Sequence, residues 1–244
     1  MEVLTMNDYK NKYILSYDLG TSGVKGAIVT TDGEVVATAT ANYPLYTPAP
    51  GYAEQDGVKY WEGVCAVTGK VLDKAGITPD ALCGIAFGTL WKGIIPVDKD
   101  GNVLHNSIIW LDARAESQAQ RLCERFGEGA FLASDYWPKL MWLRENHPEV
   151  IDKAQTIFEV NSYLKWRATG EVAMDISNSY VRSLDPVLDK KYRDILEFID
   201  IPQESSRPLS TRRRLWAEST KKVRASLDLY PESPFSRATT ILPP

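Results

Sequence analysis

The feature that most constrains the fold is a glycine-rich turn that lies between two strand patterns near the start of the chain. A β-rich run from Tyr13 to Leu19 leads into Gly20–Gly23, and a second strand pattern, Val24 to Thr30, follows at once. An Asp32-Gly33 turn separates this pattern from a third one, Glu34 to Thr40. Because a strand rather than a helix follows the glycines, the turn is neither a P-loop nor a dinucleotide-binding fingerprint. The chain is therefore predicted to open with three strands.

Helix and strand patterns follow one another through the next part of the chain, which favours an α/β fold. Asp56 is placed to cap a helix whose apolar face includes Trp61, Val64 and Leu72, and Gly76 is placed to end it. Further predictions are a buried strand over 82–87, a second hairpin whose arms Ile94–Val97 and Ser107–Leu111 flank Lys99-Asp-Gly-Asn102, and helices over 115–126, 138–145 and 161–168.

Composition limits the class of protein. The 244 residues are 44% hydrophobic and 25% charged, which predicts one large globular α/β domain or one domain with an appendage. The net charge of -4 disfavours a nucleic-acid partner. No apolar run approaches the roughly 18 residues of a membrane span, and no secretory signal pattern is seen at the amino terminus. We expect a cytoplasmic protein with neither a membrane nor a nucleic-acid partner.

Few residues suit a metal cluster or a disulfide framework. Cys65, Cys83 and Cys123 are odd in number, widely spaced and set in apolar segments, which predicts free thiols. The chain has two histidines and no Cys or His pair at ligand spacing, which disfavours zinc chemistry.

The last segment, residues 203–244, differs from the rest of the chain. It holds eight basic and four acidic residues, and Ser, Thr, Arg and Pro make up 22 of its 42 positions. Neither a helical nor an alternating apolar pattern persists there, which predicts disorder. A basic linker is one interpretation. A disrupted reading frame near residue 203 is the interpretation that we prefer.

The turn after the first strand has groups that suit phosphate. The glycines of Gly20–Gly23 let the backbone approach an anion, and its amides with the hydroxyls of Thr21 and Ser22 can form an anion-binding nest. Lys25 adds a positive charge, and Asp18 is a carboxylate at a strand end that could hold Mg²⁺. A plain hairpin turn is the alternative.

Three later segments could contact a polar ligand. Trp91 and Lys92 follow the buried strand, and an aromatic face with a neighbouring donor suits a sugar; a core tryptophan and a solvated lysine are the alternative. Asp112 either faces a ligand or caps a helix while paired with Arg114. The aromatic segment Asp135–Trp142 is interpreted mainly as a helix start and core.

In this order, the segments resemble the amino-terminal lobe of the FGGY family of carbohydrate kinases, most of all its xylulose kinase branch. The resemblance covers about residues 12 to 200. The matching text is Asp18-Leu-Gly-Thr-Ser-Gly, Gly51-Tyr-Ala-Glu-Gln-Asp56 with Tyr60-Trp61, Gly84-Ile-Ala, Gly93 before Asp98, Ile109-Trp-Leu-Asp112-Ala-Arg114, and Thr169-Gly170-Glu171 followed by Asp175-Ile-Ser.

The resemblance implies an actin-like, ribonuclease-H-like lobe over residues 1–202, which would pair with a second lobe that this chain lacks. ATP, Mg²⁺ and a sugar would meet between the two lobes. Asp18 matches the family's magnesium and phosphate aspartate, Gly20 to Ser22 match its phosphate turn, and Lys25 lies where related kinases carry a basic residue.

Two departures from the family pattern affect function. Leu90-Trp91-Lys92 stands where xylulose kinases carry Gln-Met-His, so the sugar contacts must differ. The family's general base, an aspartate in a Gly-Asp-Asn-like motif, has no match, and the tail's only aspartate is Asp228. We therefore expect a sugar kinase by descent whose 244-residue chain is inactive alone.

The alternatives are a non-catalytic fragment that binds sugar or phosphate, and an actin-like ATPase without a sugar substrate. A small-molecule sugar is the expected partner. The oligomeric state stays open, with a homodimer as one candidate.

Overall fold

The computed structural model of the protein describes residues 11–172 and 190–201. The strands are β1 (Tyr13–Leu19), β2 (Gly23–Thr30), β3 (Val35–Asn42), β4 (Glu54–Gln55), β5 (Leu82–Thr89), β6 (Ile95–Val97), β7 (Ser107–Ile108) and β8 (Thr156–Phe158). The helices are α1 (Gly57–Ala75), α2 (Glu116–Phe126), α3 (Tyr136–Asn146), α4 (Pro148–Lys153), α5 (Val160–Thr169) and α6 (Lys190–Phe198), with a 3₁₀ turn at Pro79–Ala81.

The main sheet has four strands in the order β3-β2-β1-β5. The predicted three-stranded opening is confirmed, because β1 pairs antiparallel with β2 and β2 pairs antiparallel with β3. The predicted strand at 82–87 is β5, which lies parallel to β1. A parallel pair needs a long crossover connection, and α1 supplies it between β3 and β5. The sheet is therefore mixed, as expected for an α/β lobe.

One face of this sheet is covered by α1. Leu15, Tyr17 and Leu19 of β1 alternate toward that face and are almost completely buried. A Cβ atom on Gly26 would lie 2.3 Å from Cγ1 of Val67, so only glycine lets β2 and α1 approach this closely. Helix α5 joins the same apolar cluster. The packing leaves the alternate residues of β1, Asp18 among them, on the other face of the sheet.

Both predicted ends of α1 are confirmed. The side chain of Asp56 accepts a hydrogen bond from the backbone N–H of Val58 at 2.8 Å, which satisfies one of the free amides at the helix start. Gly76 ends the helix at a φ of 64°, in the left-handed region that favours glycine. Local sequence chemistry therefore fixes the length of the crossover helix.

A second apolar cluster lies among the later helices. Its fully buried members include Leu122 of α2, Leu140 of α3, Ile151 of α4 and Ile195 of α6. The helices predicted over 115–126, 138–145 and 161–168 correspond to α2, α3 and α5, whereas α4, α6 and β8 were not predicted.

The predicted second hairpin is only partly correct. The turn exists, because the backbone N–H of Asp98 donates to the carbonyl of Asn102 at 3.0 Å. Its expected arms, however, pair elsewhere, β6 with β8 and β7 with β4, and a single bridge joins Ile94 to Ile108. These short strands are buried and pair with segments distant in sequence, so the local turn pattern could not predict their partners.

The three cysteines are free thiols, as predicted. Within residues 11–172 and 190–201, no helix has the length and apolar character needed to cross a bilayer. The predicted disorder of residues 203–244 and the segment Asp175-Ile-Ser lie outside the described residues.

The close contact between β2 and β3 predicts a difference between two glycines of the first turn. A Cβ atom on Gly23 would lie 2.4 Å from the carbonyl oxygen of Ala41, whereas the nearest atom to a Cβ on Gly20 is 3.9 Å away. We expect Gly23→Ala to lower the free energy of unfolding by about 2 to 3 kcal/mol, and Gly20→Ala to change it by about 0.5 kcal/mol or less. Urea denaturation of both variants measures the difference. Equal losses would contradict the packing described here.

Candidate active site

The glycine-rich turn lies at the end of β1, and its own hydrogen bond runs from the backbone N–H of Gly20 to the carbonyl of Gly23 at 3.0 Å. Asp18 is the penultimate residue of β1 and is exposed. It is opposite Lys25 of β2 in the antiparallel register, and Lys25 is exposed as well. Directly opposite residues project from the same face, so the carboxylate and the ammonium group both lie beside the turn.

The two glycines of the turn have different surroundings. Both were expected to make room for an anion. In the structure, the small size of Gly23 is required by the backbone of β3, while Gly20 has open space around it. Gly23 therefore lets β2 pack closely against β3, and the approach of an anion to Gly20 stays a prediction.

Side chains from three other segments hold this turn in place. The Tyr43 hydroxyl lies 2.5 Å from the Gly20 carbonyl oxygen and 3.1 Å from that of Gly23 and donates to them. Gln55 donates from Nε2 to the Thr21 carbonyl oxygen at 2.7 Å. Trp110 donates from Nε1 to the Thr21 hydroxyl at 3.3 Å, and its side chain is partly exposed. No sequence pattern indicated a role for these three side chains, since the contacts join segments 20 to 89 residues apart.

The loop that follows β5 leaves the sheet at the same edge as the turn. Because β1 and β5 are parallel, their carboxyl ends lie together, and Asp18 is in register with Gly88. The backbone N–H of Leu90 donates to the carbonyl of Leu19 at 2.8 Å, and this hydrogen bond joins the end of β1 to the loop after β5. The structure thus brings the predicted phosphate turn next to the predicted sugar loop.

In the loop after β5, Trp91 is 53% exposed, so it is not a core residue. The Lys92 ammonium lies 4.7 Å from the centre of the Trp91 ring, and it forms an ion pair with Asp135 at 2.5 Å. Lys92 is therefore not a freely solvated side chain either. A partly exposed indole and an ion-paired lysine therefore lie side by side in this loop.

A buried lysine that no sequence pattern indicated contacts the backbone of the loop after β5. Lys139 of α3 is completely buried, and its Nζ donates to the backbone carbonyl of Lys92 at 2.7 Å. Lys92 has a φ of 64°, an uncommon value for a residue with a side chain. Burial lowers the pKa of Lys139 to about 7, against the opposing effect of the Asp112 and Asp135 carboxylates. The loop is therefore supported by a buried amine.

Asp112 has a structural role in the described residues. It is 1% exposed and accepts hydrogen bonds from the backbone N–H of Ala53 and from the Arg114 side chain. The predicted pairing with Arg114 is confirmed, but the predicted helix cap is wrong, because α2 begins at Glu116 with Ala115 as its N-cap. Asp112 is too far from the helix to cap it, because three residues, Ala113 to Ala115, lie between it and the first residue of α2. Contact of Asp112 with a sugar stays a prediction.

Arg114 is the centre of this polar cluster. Its guanidinium lies 2.7 Å from Glu54, 3.9 Å from the centre of the Tyr52 ring and 4.7 Å from that of Trp142. The aromatic segment that contains Trp142 forms the start of α3 and part of the core, as expected. The cluster joins the strand before α1 to the later helices.

Within the described part of the chain, no group of three or more His, Cys, Asp or Glu side chains could hold a metal ion. Asp18 is a single exposed carboxylate beside two hydroxyls and the turn amides. The family's general base was not found in the sequence, and the register where it was sought lies beyond residue 201.

The mixed α/β sheet with flanking helices and a glycine turn at the end of its first strand has the fold class of an actin-like lobe. A sequence model of the FGGY family of carbohydrate kinases, N-terminal domain, matches residues 13–239. The chain therefore belongs to the FGGY family of carbohydrate kinases, and the predicted family and fold class are confirmed.

Individual relatives agree with this assignment. The chain is similar to a xylulose kinase of Bacillus subtilis, at 28% identity over 206 residues that cover 81% of this chain and 41% of the relative. It is similar to a glycerol kinase of Thermus brockianus, at 31% identity with coverage of 65% and 35%. A solved xylulose kinase from Rhodospirillum rubrum shares the fold with a TM-score of 0.75 and 22% identity, covering 88% of this chain and 47% of that one. This chain spans less than half the length of these relatives.

The buried amine predicts a pH dependence of stability. Folding lowers the pKa of Lys139 from 10.5 to about 7, so between these values the unfolded chain binds more protons than the folded one. The free energy of unfolding, relative to Lys139→Met, should therefore rise with pH from about 7 to 10.5, by up to about 1.4 kcal/mol per pH unit. Below about pH 7 the difference should be constant.

Urea denaturation of both proteins between pH 6 and pH 9 tests this. Other titrating groups, such as the buried Cys65 thiol, act in both proteins and cancel in the difference. Parallel pH profiles would show that Lys139 is not held as an uncharged amine.

Proposed function

We propose that this domain supplies the phosphate-binding half and part of the sugar-binding half of an ATP-dependent carbohydrate kinase. The observation that supports this most directly is the shared sheet edge, where the turn Gly20–Gly23 and the loop Leu90–Gly93 leave neighbouring parallel strands. A phosphate donor and a hydroxyl acceptor must meet for transfer, and adjacent loops allow that. The turn would bind the phosphates of ATP, and the loop would contact the sugar.

The proposed reaction is the in-line transfer of the γ-phosphoryl group of ATP to a sugar or polyol hydroxyl. Backbone amides of Thr21 and Ser22, the two hydroxyls and the ammonium group of Lys25 would neutralise the phosphate charge. Asp18 would hold Mg²⁺ directly or through water. When bound, Mg²⁺ supplies further neutralisation of the phosphate oxygens.

The residues present fit such an ion. Magnesium usually keeps several water molecules and takes one or two carboxylates together with substrate phosphates, rather than a cage made entirely of protein. One exposed carboxylate at a strand end, next to two hydroxyls, is a donor set of this kind. Asp18 is therefore assigned to the metal and phosphates, and a different residue must take the proton from the sugar hydroxyl.

On the sugar side, the partly exposed Trp91 would pack against the C–H surface of a sugar, and Lys92 would contact a sugar hydroxyl. We propose a ketose or a polyol as substrate, by likeness to the relatives named xylulose kinase and glycerol kinase. The sequence Leu90-Trp91-Lys92 departs from the xylulose kinase pattern, so the particular sugar stays open. A homodimer is one candidate for the oligomeric state, and a cytoplasmic location stays a prediction.

A second candidate function is a non-catalytic fragment that binds phosphate or sugar weakly. It is favoured by the missing match to the family's general base. An ATPase without a sugar substrate is less well supported, because it leaves the exposed Trp91 unexplained.

The assignment of Asp18 predicts the behaviour of a full-length kinase that carries this domain. Asp18→Ala should lower kcat for sugar phosphorylation by about a hundredfold or more and change sugar binding little, because a charge-stabilising group is lost at the phosphates. Sugar-dependent ADP release measures turnover. The matched control is Asp32→Ala, which removes an exposed carboxylate from the turn between β2 and β3. Turnover of Asp18→Ala within about threefold of the parent would contradict the role.

The same assay on the 244-residue polypeptide separates the two candidate functions. Positioning of nucleotide and acceptor can supply roughly 7 to 11 kcal/mol of barrier lowering, and we expect the domain alone to lack most of it. No sugar-dependent ADP should form with common ketoses, pentitols or hexoses. A sugar phosphate that Asp18→Ala abolishes would show that the polypeptide is itself an enzyme.

A further inference from the structure

Three of the four carbonyl groups of the glycine-rich turn, those of Gly20, Thr21 and Gly23, accept hydrogen bonds from side chains of the protein. Tyr43 donates to the carbonyls of Gly20 and Gly23, and Gln55 donates to that of Thr21. A carbonyl oxygen that turned toward a bound phosphate would repel it, so these contacts remove the unfavourable dipoles from the ligand side.

Peptide geometry gives these contacts a second effect. In a trans peptide, the C=O of one residue and the N–H of the next lie in one plane and point in opposite directions. The bond from Tyr43 to the Gly20 carbonyl therefore directs the Thr21 N–H away from Tyr43. The bond from Gln55 to the Thr21 carbonyl directs the Ser22 N–H away from Gln55 in the same way.

Both donors are fixed by the core. Tyr43 follows β3 directly, is 8% exposed and packs edge-on against the Tyr60 ring at a centroid distance of 5.1 Å. Gln55 is completely buried, and its Oε1 accepts a hydrogen bond from the Tyr60 hydroxyl at 2.9 Å. Tyr60 belongs to α1, so one helix residue supports both donors.

The neighbours of Gln55 restrict it further. Glu54 forms an ion pair with Arg114 and accepts from Asn106, and Asp56 caps α1. Gln55 itself pairs with Ser107 between β4 and β7. Its side chain thus reaches Thr21 from a backbone that is held on both sides.

We infer that Tyr43 and Gln55 are positioning residues that hold the turn Gly20–Gly23 in a single orientation, with the Thr21 and Ser22 amides directed toward an incoming phosphate. The orienting effect follows from the contacts alone, and its use for phosphate rests on the proposed function. Burial and then the nearby Asp18 carboxylate raise the pKa of Tyr43, which keeps its hydroxyl protonated as a donor.

The experiment compares two isosteric substitutions in the ¹⁵N-labelled 244-residue protein. Tyr43→Phe removes the hydroxyl at the turn. The control, Tyr17→Phe, removes a buried hydroxyl that instead bonds to Thr68 in the same core. Hydrogen exchange of the Gly20 amide reports opening of the turn, and amide shifts of Thr21 and Ser22 report binding of inorganic tripolyphosphate.

We expect Tyr43→Phe to speed Gly20 exchange about five- to tenfold and to weaken tripolyphosphate binding by a similar factor, the loss typical of one hydrogen bond. The control should stay within about twofold of the parent protein in both measurements. Gln55→Met removes the second donor and should weaken tripolyphosphate binding by a similar factor. If Gln55→Met does not fold, because Gln55 is completely buried, Tyr43→Phe alone decides the test.

Unchanged Gly20 exchange in Tyr43→Phe would overturn the inference, as would equal acceleration in the control. Faster exchange in Tyr43→Phe together with no response of the parent turn to tripolyphosphate would support the positioning role and contradict the phosphate role. The two proposals therefore fail in different measurements.

Discussion

The parallel pairing of β1 with β5 is the constraint on which the candidate site depends. Two strands that run the same way end at the same edge, and here one ends in the glycine turn and the other in the Trp91 loop. The pairing requires a crossover connection, which α1 provides over the face lined by Leu15 and Tyr17. The close fit at Gly26 couples the helix to the sheet. Burial of apolar surface therefore brings the two loops together.

Polar groups buried behind this edge keep the loops in place. Lys139 supports the Trp91 loop, Gln55 and Tyr43 support the glycine turn, and the ion pairs of Arg114 join the segments between them. Burial of an amine or an ion pair is costly unless its hydrogen bonds are satisfied, so these residues contribute little net stability. Their contribution is to orientation, since breaking one contact leaves a buried partner unsatisfied.

The sequence predicted the elements whose signals are local. The first three strands follow from alternation and turn residues, and α1 follows from Asp56, its apolar face and Gly76. The second hairpin was predicted incorrectly because the partners of β6 and β7 lie far away in the chain.

For the candidate site, too, the sequence indicated residues with local motifs and did not indicate residues whose contacts are long-range. Motifs indicated Asp18, the turn and Trp91, which all lie at one sheet edge. The contacts of Lys139, Tyr43 and Gln55 join residues 20 to 47 positions apart, so no spacing in the sequence indicated them. The pairing of Asp112 with Arg114 was predicted from the sequence, whereas the burial of the carboxylate and its hydrogen bond from Ala53 could be seen only in the folded chain.

The central claim is that the turn after β1 binds the metal and phosphates of a nucleotide. Paramagnetic broadening tests it directly, with Mn²⁺ and ATP added to the ¹⁵N-labelled protein. We predict that the amide signals of Asp18 to Ser22 broaden first, and that Asp18→Asn removes the effect. Broadening centred elsewhere, for example at the exposed Asp98–Asp100 turn, or broadening that persists in Asp18→Asn, would contradict the account.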